Sequence, residues 1–195
     1  MDDHDHGPDD SFSSTTAASF SVDMAIGSVD GNASETVGTA YGYQIDLSTS
    51  FTGEDALSVS LDAGSGASQL GELDLNSSGD GLIVDGITYS FPLGDKTTVL
   101  VGDSTDGSAL YSTACVYGGF TNTLDDCGNA SSAFTTPDAG AALSASYDIG
   151  NGFTGAIGYA GQGTTEGLMT KDGTDYFGGC LLYTSDAADE GLGVD

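Results

Sequence analysis

The chain has 195 residues and a formal net charge of −28, because 30 aspartates and glutamates face only two basic residues, Lys96 and Lys171. So acidic a surface repels the phosphates of nucleic acids, which excludes a DNA- or RNA-binding protein. No run approaches the roughly 18 apolar residues of a membrane helix. Glycine is abundant at 31 residues and tryptophan is absent. The regular alternation described below favours a β protein over a disordered one.

The N-terminal segment, residues 1–19, is acidic and carries His4 and His6. Imidazoles and carboxylates are suitable metal ligands. Nothing nearby would fix their geometry, so we expect a disordered segment here rather than a metal site. Regular alternation of apolar and polar residues begins after it, at Phe20.

This alternation predicts a series of β-strands along the chain. The clearest pair lies in Ala40–Gly64, where two alternating runs flank a short TGED turn and form a β-hairpin. Turns at Pro92–Asp95 and Gly150–Gly152 join two further pairs. The strands are expected near Phe20–Ile26, Thr39–Phe51, Ala56–Ala63, Leu82–Phe91, Lys96–Asp103, Ala141–Ile149 and Phe153–Ala160, with another beginning at Tyr176–Phe177.

The connections between these strands alternate between long and short along the whole chain. Greek-key sandwiches mix their connection lengths, whereas outer-membrane barrels place short turns on the periplasmic side and long loops outside. Aromatic residues such as Tyr43, Tyr89 and Tyr159 lie toward strand ends, as interfacial girdles require. We therefore expect an all-β fold, an antiparallel up-and-down transmembrane β-barrel, with a soluble sandwich as the alternative. About eight strands are legible, as part of a larger barrel.

The C-terminal segment Cys180–Asp195 differs from the rest, because its CLLYTSDAADE string resembles a translated sequencing adapter. We expect residues 180–195 to be a non-native tail, and non-native segments of this kind are excluded when the fold is inferred. The chain also opens without a signal peptide, which indicates either a cytoplasmic protein or a missing beginning. With the adapter at the other end, we expect a fragment of a longer chain, with the partial barrel at residues 20–179.

Three stretches carry a resemblance to a known family: FSSTTAASFSVDMAIGSVDG, YGYQIDLSTSFTGEDALSVSLDAG and YSFPLGDKTTVLVGD. They resemble the porins of the cyanobacterial outer membrane, a group that overlaps the carbohydrate-selective and iron-uptake porins. Asp46–Leu57 is similar to the family's L-x-TSFTGxDxL segment, and Phe91–Lys96 to its FPLGDK turn. The resemblance covers about Phe12–Gly179. It implies a protein in outer-membrane lipid that can form a homo-oligomer, through which small hydrophilic solutes such as sugars or inorganic ions pass.

In such a barrel the polar face of each strand would line the pore. Carboxylate rings at a constriction attract cations and exclude anions, so we expect passive diffusion that favours cations. The candidate pore-lining residues are Asp23, Gln44, Asp46, Ser48, Ser50, Ser58, Ser60, Asp62, Ser144, Ser146 and Asp148.

Two cysteines, Cys115 and Cys127, lie in the longest connection, which is the third long one by count. In general porins the third external loop folds inward and narrows the pore, so the resemblance implies that this connection forms the constriction. A disulfide between the two cysteines would pin the loop and suits an oxidising envelope. Two free thiols in an exposed loop are the alternative.

No catalytic constellation stands out, since the chain has no G-x-S-x-G elbow, phosphate loop or full calcium-loop pattern. We therefore expect a protein that is not an enzyme and has no cofactor, apart from a loosely bound divalent cation among loop aspartates. The competing hypothesis is a secreted or cell-surface adhesin or calcium-binding module, also acidic and β-rich.

Overall fold

The computed structural model describes residues 15–28, 30–31, 35–65, 75, 78–105, 107–111, 140–161 and 167–184. Within these ranges the secondary structure consists of β-strands, and no helix occurs. The strands are β1 (Thr16–Gly27), β2 (Gly38–Thr49), β3 (Ala56–Gly64), β4 (Ile83–Pro92), β5 (Thr97–Asp103), β6 (Ala141–Gly150), β7 (Phe153–Gly161) and β8 (Asp175–Tyr183).

These strands form one antiparallel sheet in which every strand lies beside its sequence neighbours, in the order β1-β2-β3-β4-β5-β6-β7-β8. The predicted all-β, up-and-down architecture is confirmed. In the described part of the chain β1 and β8 do not pair, so the sheet is open rather than closed on itself. No helix in those residues combines the length and hydropathy that a membrane span requires.

The ends of the chain differ from their predicted boundaries. Strand β1 begins at Thr16, inside the segment expected to be disordered; His4 and His6 lie outside the described residues. Strand β8 includes Cys180–Tyr183, the first part of the expected adapter tail, and Tyr183 pairs with Phe153. Backbone pairing of this kind needs no particular side chain, so it is independent of where those residues come from. Residues 185–195 lie outside the described ranges.

Cross-strand partners carry their side chains on the same side of a sheet, so the registers assign a face to every residue. Phe20 pairs with Ile45, which pairs with Leu61. Side chains from all eight strands meet in this way on one side, here called the apolar face. Its members include Phe20, Val22, Ile45, Leu47, Val59, Leu61, Ile87, Tyr89, Val99, Val101, Leu143, Ile157, Tyr159, Phe177 and Leu181. Alternation directs the intervening serines, aspartates and small residues to the opposite side, here called the polar face.

A β-bulge interrupts this pattern at Asp85 in β4, and a second register shift skips Ile149 in β6. Ser60 pairs with Gly86, but the next residue, Leu61, pairs with Val84, so Asp85 is the extra residue. A bulge bends its strand and redirects a side chain. In a regular strand Val84 and Ile87 would lie on opposite faces, because they are three residues apart. The extra residue at Asp85 places Val84 on the apolar face with Ile87.

The seven connections sort by length between the two ends of the sheet, as predicted. The connections 28–37, 65–82, 104–140 and 162–174 lie at one end, here called the long end. The connections 50–55, 93–96 and 151–152 lie at the other, the short end.

Aromatic rings meet in pairs near both ends of the sheet. At the short end the ring centroids of Phe51 and Tyr89 are 6.3 Å apart, and those of Phe153 and Tyr183 are 4.4 Å apart. At the long end Tyr159 and Phe177 have centroids 5.0 Å apart. Tyr89 and Tyr159 lie toward strand ends, as predicted, whereas Tyr43 lies in the middle of β2.

Candidate functional site

The polar face of β1–β3 brings most of the predicted pore-lining residues together. Across β2 and β3, Gln44 pairs with Asp62, Asp46 with Ser60, and Ser48 with Ser58. Asp23 of β1 lies on the same face, opposite Gly42. Ser144, Ser146 and Asp148 of β6 also lie on the polar face, three strands away from β3. Ser50 is the exception, because β2 ends at Thr49 and Ser50 belongs to the turn that follows.

Asp46 is the centre of a hydrogen-bond network on this face. Its Oδ1 accepts hydrogen bonds from Gln44 Nε2 at 2.8 Å and from Ser60 Oγ at 2.7 Å. Its Oδ2 accepts a longer one, 3.5 Å, from Ser19 Oγ. Three adjacent strands are therefore linked through one ionised side chain, which fixes the direction in which its charge points.

The polar face of β5–β7 is covered by residues 107–111 of the third long connection, here called the strap. Ser144 is 1% exposed, and its Oγ donates a 2.5 Å hydrogen bond to the carbonyl oxygen of Gly107. Gly158 lies directly beneath the same carbonyl, where an added Cβ would overlap it. Ser144 thus anchors the strap by a hydrogen bond. It was expected to line an open pore, but the strap buries it.

Tyr111 closes the strap against the sheet. Its backbone N–H donates a 2.7 Å hydrogen bond to the carbonyl of Ser108, which makes the strap a tight turn. The side chain of Tyr111 is buried, and burial raises the pKa of its hydroxyl. The described start of the third long connection therefore folds onto the polar face. Cys115 and Cys127, further along this connection, lie outside the described residues.

A polar cleft of about 320 Å³ opens on this face near the long end. Asp62 lines this cleft and is 7% exposed. Its Oδ1 is buried and has no hydrogen-bond partner among the described residues. The cleft is lined by Ser21, Asp23, Gly42, Tyr43, Gln44, Asp62 and Asp85. No set of three or more His, Cys, Asp or Glu side chains in the described ranges is already arranged to hold a metal ion.

Asp55 organises the turn 50–55 at the short end. Its Oδ1 accepts hydrogen bonds from the backbone N–H groups of Thr52 at 2.7 Å and Phe51 at 2.9 Å. The hydroxyls of Ser50 and Thr52 donate to the same oxygen, each at 2.7 Å. These donors, led by the Thr52 backbone N–H, hold the pKa of the Asp55 carboxyl well below its usual range. Gly53 adopts a φ of 90°, a conformation that favours glycine, and completes the turn.

The apolar face is open to its surroundings over most of its area. Val22 is 65% exposed, Ile157 67% and Leu181 68%. Each strand makes its main contacts with its sequence neighbours, so no second layer of described residues covers this face. Contiguous apolar surface of this extent marks a contact with lipid or with another protein.

A groove of about 530 Å³ runs over β6–β8 on the apolar face. Gly155 and Gly179 have no side chains to fill the groove, and Tyr147, Ile157 and Leu181 flank it. The apolar face is therefore grooved as well as exposed at this point.

Comparison of the chain with protein-family models, with curated proteins and with solved structures finds no match.

Sequence reasoning missed three residues that shape these surfaces. Asp55 could have been found, because the spacing of Ser50, Thr52 and Asp55 is typical of turns closed by side-chain hydrogen bonds. Gly158 and Tyr111 gave no local signal. Their contact joins segments far apart in the chain, and the composition of neither segment encodes it.

Proposed function

We propose that this chain forms part of the wall of an outer-membrane porin, similar to those of cyanobacteria, through which small hydrophilic solutes and ions diffuse passively. The observation that carries the proposal is the division of the sheet into two faces. Residues such as Val22 and Ile157 are mostly exposed on the apolar face, whereas the opposite face carries serines and carboxylates. Lipid on one side and water on the other satisfies both faces.

The two ends of the sheet support the same proposal. Long connections at one end and tight turns at the other are the arrangement of outer-membrane barrels. The aromatic pairs Phe51–Tyr89 and Tyr159–Phe177 lie at the short end and at the long end of the sheet. Amphipathic rings at these levels suit the two interfaces of a bilayer.

The charge of the polar face gives the proposed pore its preference for cations. Asp23, Asp46 and Asp62 lie on this face, and the two lysines of the chain are elsewhere: Lys96 in the turn 93–96 and Lys171 in the connection 162–174. Carboxylates along an aqueous path raise the local concentration of cations and repel anions. The strap would narrow the path on the side of β5–β7.

A bilayer experiment on the full 195-residue chain tests the proposal. The chain is refolded into neutral phosphatidylcholine vesicles, because anionic lipid would repel so acidic a protein. We expect it to float with the vesicles after an alkaline wash and to conduct in planar bilayers. Under a potassium chloride gradient the reversal potential should favour potassium. A reversal potential that favours chloride would overturn the cation preference.

Partition between lipid and water separates the porin from the adhesin or calcium-binding module. A folded chain that stays in the aqueous fraction, with its β circular dichroism intact, would overturn the porin proposal and leave the surface module. Heat-modifiable migration on electrophoresis, by contrast, would support a membrane-inserted sheet.

A further inference from the structure

We propose that the cleft around Asp62 binds a hydrated Ca²⁺ ion on the polar face, near the long end of the sheet. This inference goes beyond the proposed porin function, because it requires the folded sheet but not a conducting pore. It rests on three properties of the cleft: a buried carboxylate oxygen without a partner, other oxygen donors around it, and room for water.

The first property is the state of Asp62. The residue is 7% exposed, and its Oδ1 has no hydrogen-bond partner among the described residues. A buried carboxylate is costly unless a hydrogen bond, an ion pair or a metal compensates it. No lysine meets this need, since Lys96 lies at the short end and Lys171 pairs with Asp172 at 3.0 Å. A cation from solution would supply the compensating charge.

The second property is the chemistry of the surrounding groups. Asp85, which the bulge inserts into β4, lines the same cleft as Asp62, and Asp23 lines it from β1. The Gln44 side chain and the Ser21 hydroxyl add neutral oxygens. Carboxylate, amide and hydroxyl oxygens are ligands for hard cations such as Ca²⁺. The lining contains no histidine or cysteine, the ligands that zinc and copper prefer.

The third property is the size of the cleft. The described carboxylates are not already gathered into a three-ligand set, so the ion would keep part of its water shell. A volume of about 320 Å³ leaves room for it, since a water molecule takes about 30 Å³ in the liquid. We therefore expect direct coordination by Asp62, with Asp85 and Asp23 holding bound waters or entering the shell on binding.

The test is a calorimetric titration of Ca²⁺ into the full chain in neutral detergent. Asp62→Asn keeps the shape of the side chain and removes its charge, and Asp85→Asn removes the charge of an exposed side chain. Asp95→Asn is the matched control, because it removes one exposed carboxylate at the short end. All three variants lose the same formal charge, so a general effect of net charge on binding is common to them.

We expect one site in the parent chain that Asp95→Asn keeps. Asp62→Asn should abolish it, and Asp85→Asn should weaken it about tenfold or more, the usual effect of removing a supporting ligand group. Ca²⁺ should also raise the melting temperature of the parent and of Asp95→Asn, but not of Asp62→Asn.

Equal binding in the parent, Asp62→Asn and Asp95→Asn would overturn the inference and assign the Ca²⁺ to diffuse surface charge. The titration is done in detergent without a membrane potential. Its failure is therefore distinguishable from failure of the porin proposal, which is read from flotation and conductance.

Discussion

Tyr89 Oη donates a 2.8 Å hydrogen bond to Asp55 Oδ2, joining the turn 50–55 to β4 across 34 residues of chain. The other oxygen of the same carboxylate accepts the hydrogen bonds of the turn itself. One side chain thus holds the turn closed and attaches it to the neighbouring strand. The geometry of the β2–β3 hairpin at the short end therefore depends on this carboxylate.

The Tyr89→Phe variant should lower the free energy of unfolding, because it removes one hydrogen bond and keeps the ring. Tyr147→Phe serves as the control, since Tyr147 lies on the same face toward the same end and is 49% exposed. Urea unfolding of both variants in detergent measures the difference. Equal stability of the two would show that the bond to Asp55 contributes nothing.

Asp55 also predicts how stability depends on pH. Its pKa is lowered on folding, so its contribution is complete above the ordinary value of about 3.9 and is lost as the pH falls below it. The free energy of unfolding should therefore decrease from about pH 5 downward. The Asp55→Asn variant should start from a lower stability and show a shallower decrease. Parallel pH profiles for the parent and the variant would contradict the prediction.

The strap should detach when Gly158 is replaced by alanine. The added Cβ would overlap the Gly107 carbonyl oxygen, whereas at Gly155 it meets only Ile149 Cδ1 at 3.5 Å, an ordinary contact. In Gly158→Ala we expect faster hydrogen exchange in residues 107–111 than in the parent. Gly155→Ala should leave that exchange unchanged. If both variants exchange like the parent, the strap does not depend on this close approach.

A lysine placed on each face in turn should show which face contacts lipid and which contacts water. Ile157→Lys puts a charge on the exposed apolar face, and the cost near the middle of a bilayer is about 2–4 kcal/mol. Ser146→Lys puts the same charge on the polar face of the neighbouring strand. We expect Ile157→Lys to reduce the fraction of chain that inserts into vesicles and Ser146→Lys to insert like the parent. Equal insertion would argue against lipid on the apolar face.

The strands and their order could be predicted because their signal is local. Alternation in Ala56–Gly64 and the glycines of Gly150–Gly152 each depend on adjacent residues, and the structure agrees to within a few residues. The bulge at Asp85 could not be found in this way. It depends on which residues of β3 lie opposite, and the alternation of β4 alone does not contain that information.

The sequence could predict which residues share the polar face, but not how deeply each of them is buried. Period-two alternation placed Gln44, Asp46 and Asp62 together. It could not show that the strap buries Ser144, or that Asp62 is nearly inaccessible while Asp23 is exposed. Such differences in burial arise from segments that return to the sheet from far along the chain.

The nearest-neighbour order of the sheet also bears on how such a chain can change in length. Because β3 pairs only with β2 and β4, and each later strand likewise with the strands beside it in sequence, every short-end turn defines a self-contained hairpin. Two strands can be duplicated or deleted as one unit, and only the strands that flank the unit then acquire a new neighbour. The same order keeps every strand pairing between sequence neighbours, which favours faster folding than pairing between distant strands. Sheet width is thus a quantity that gene duplication can adjust in steps of two strands.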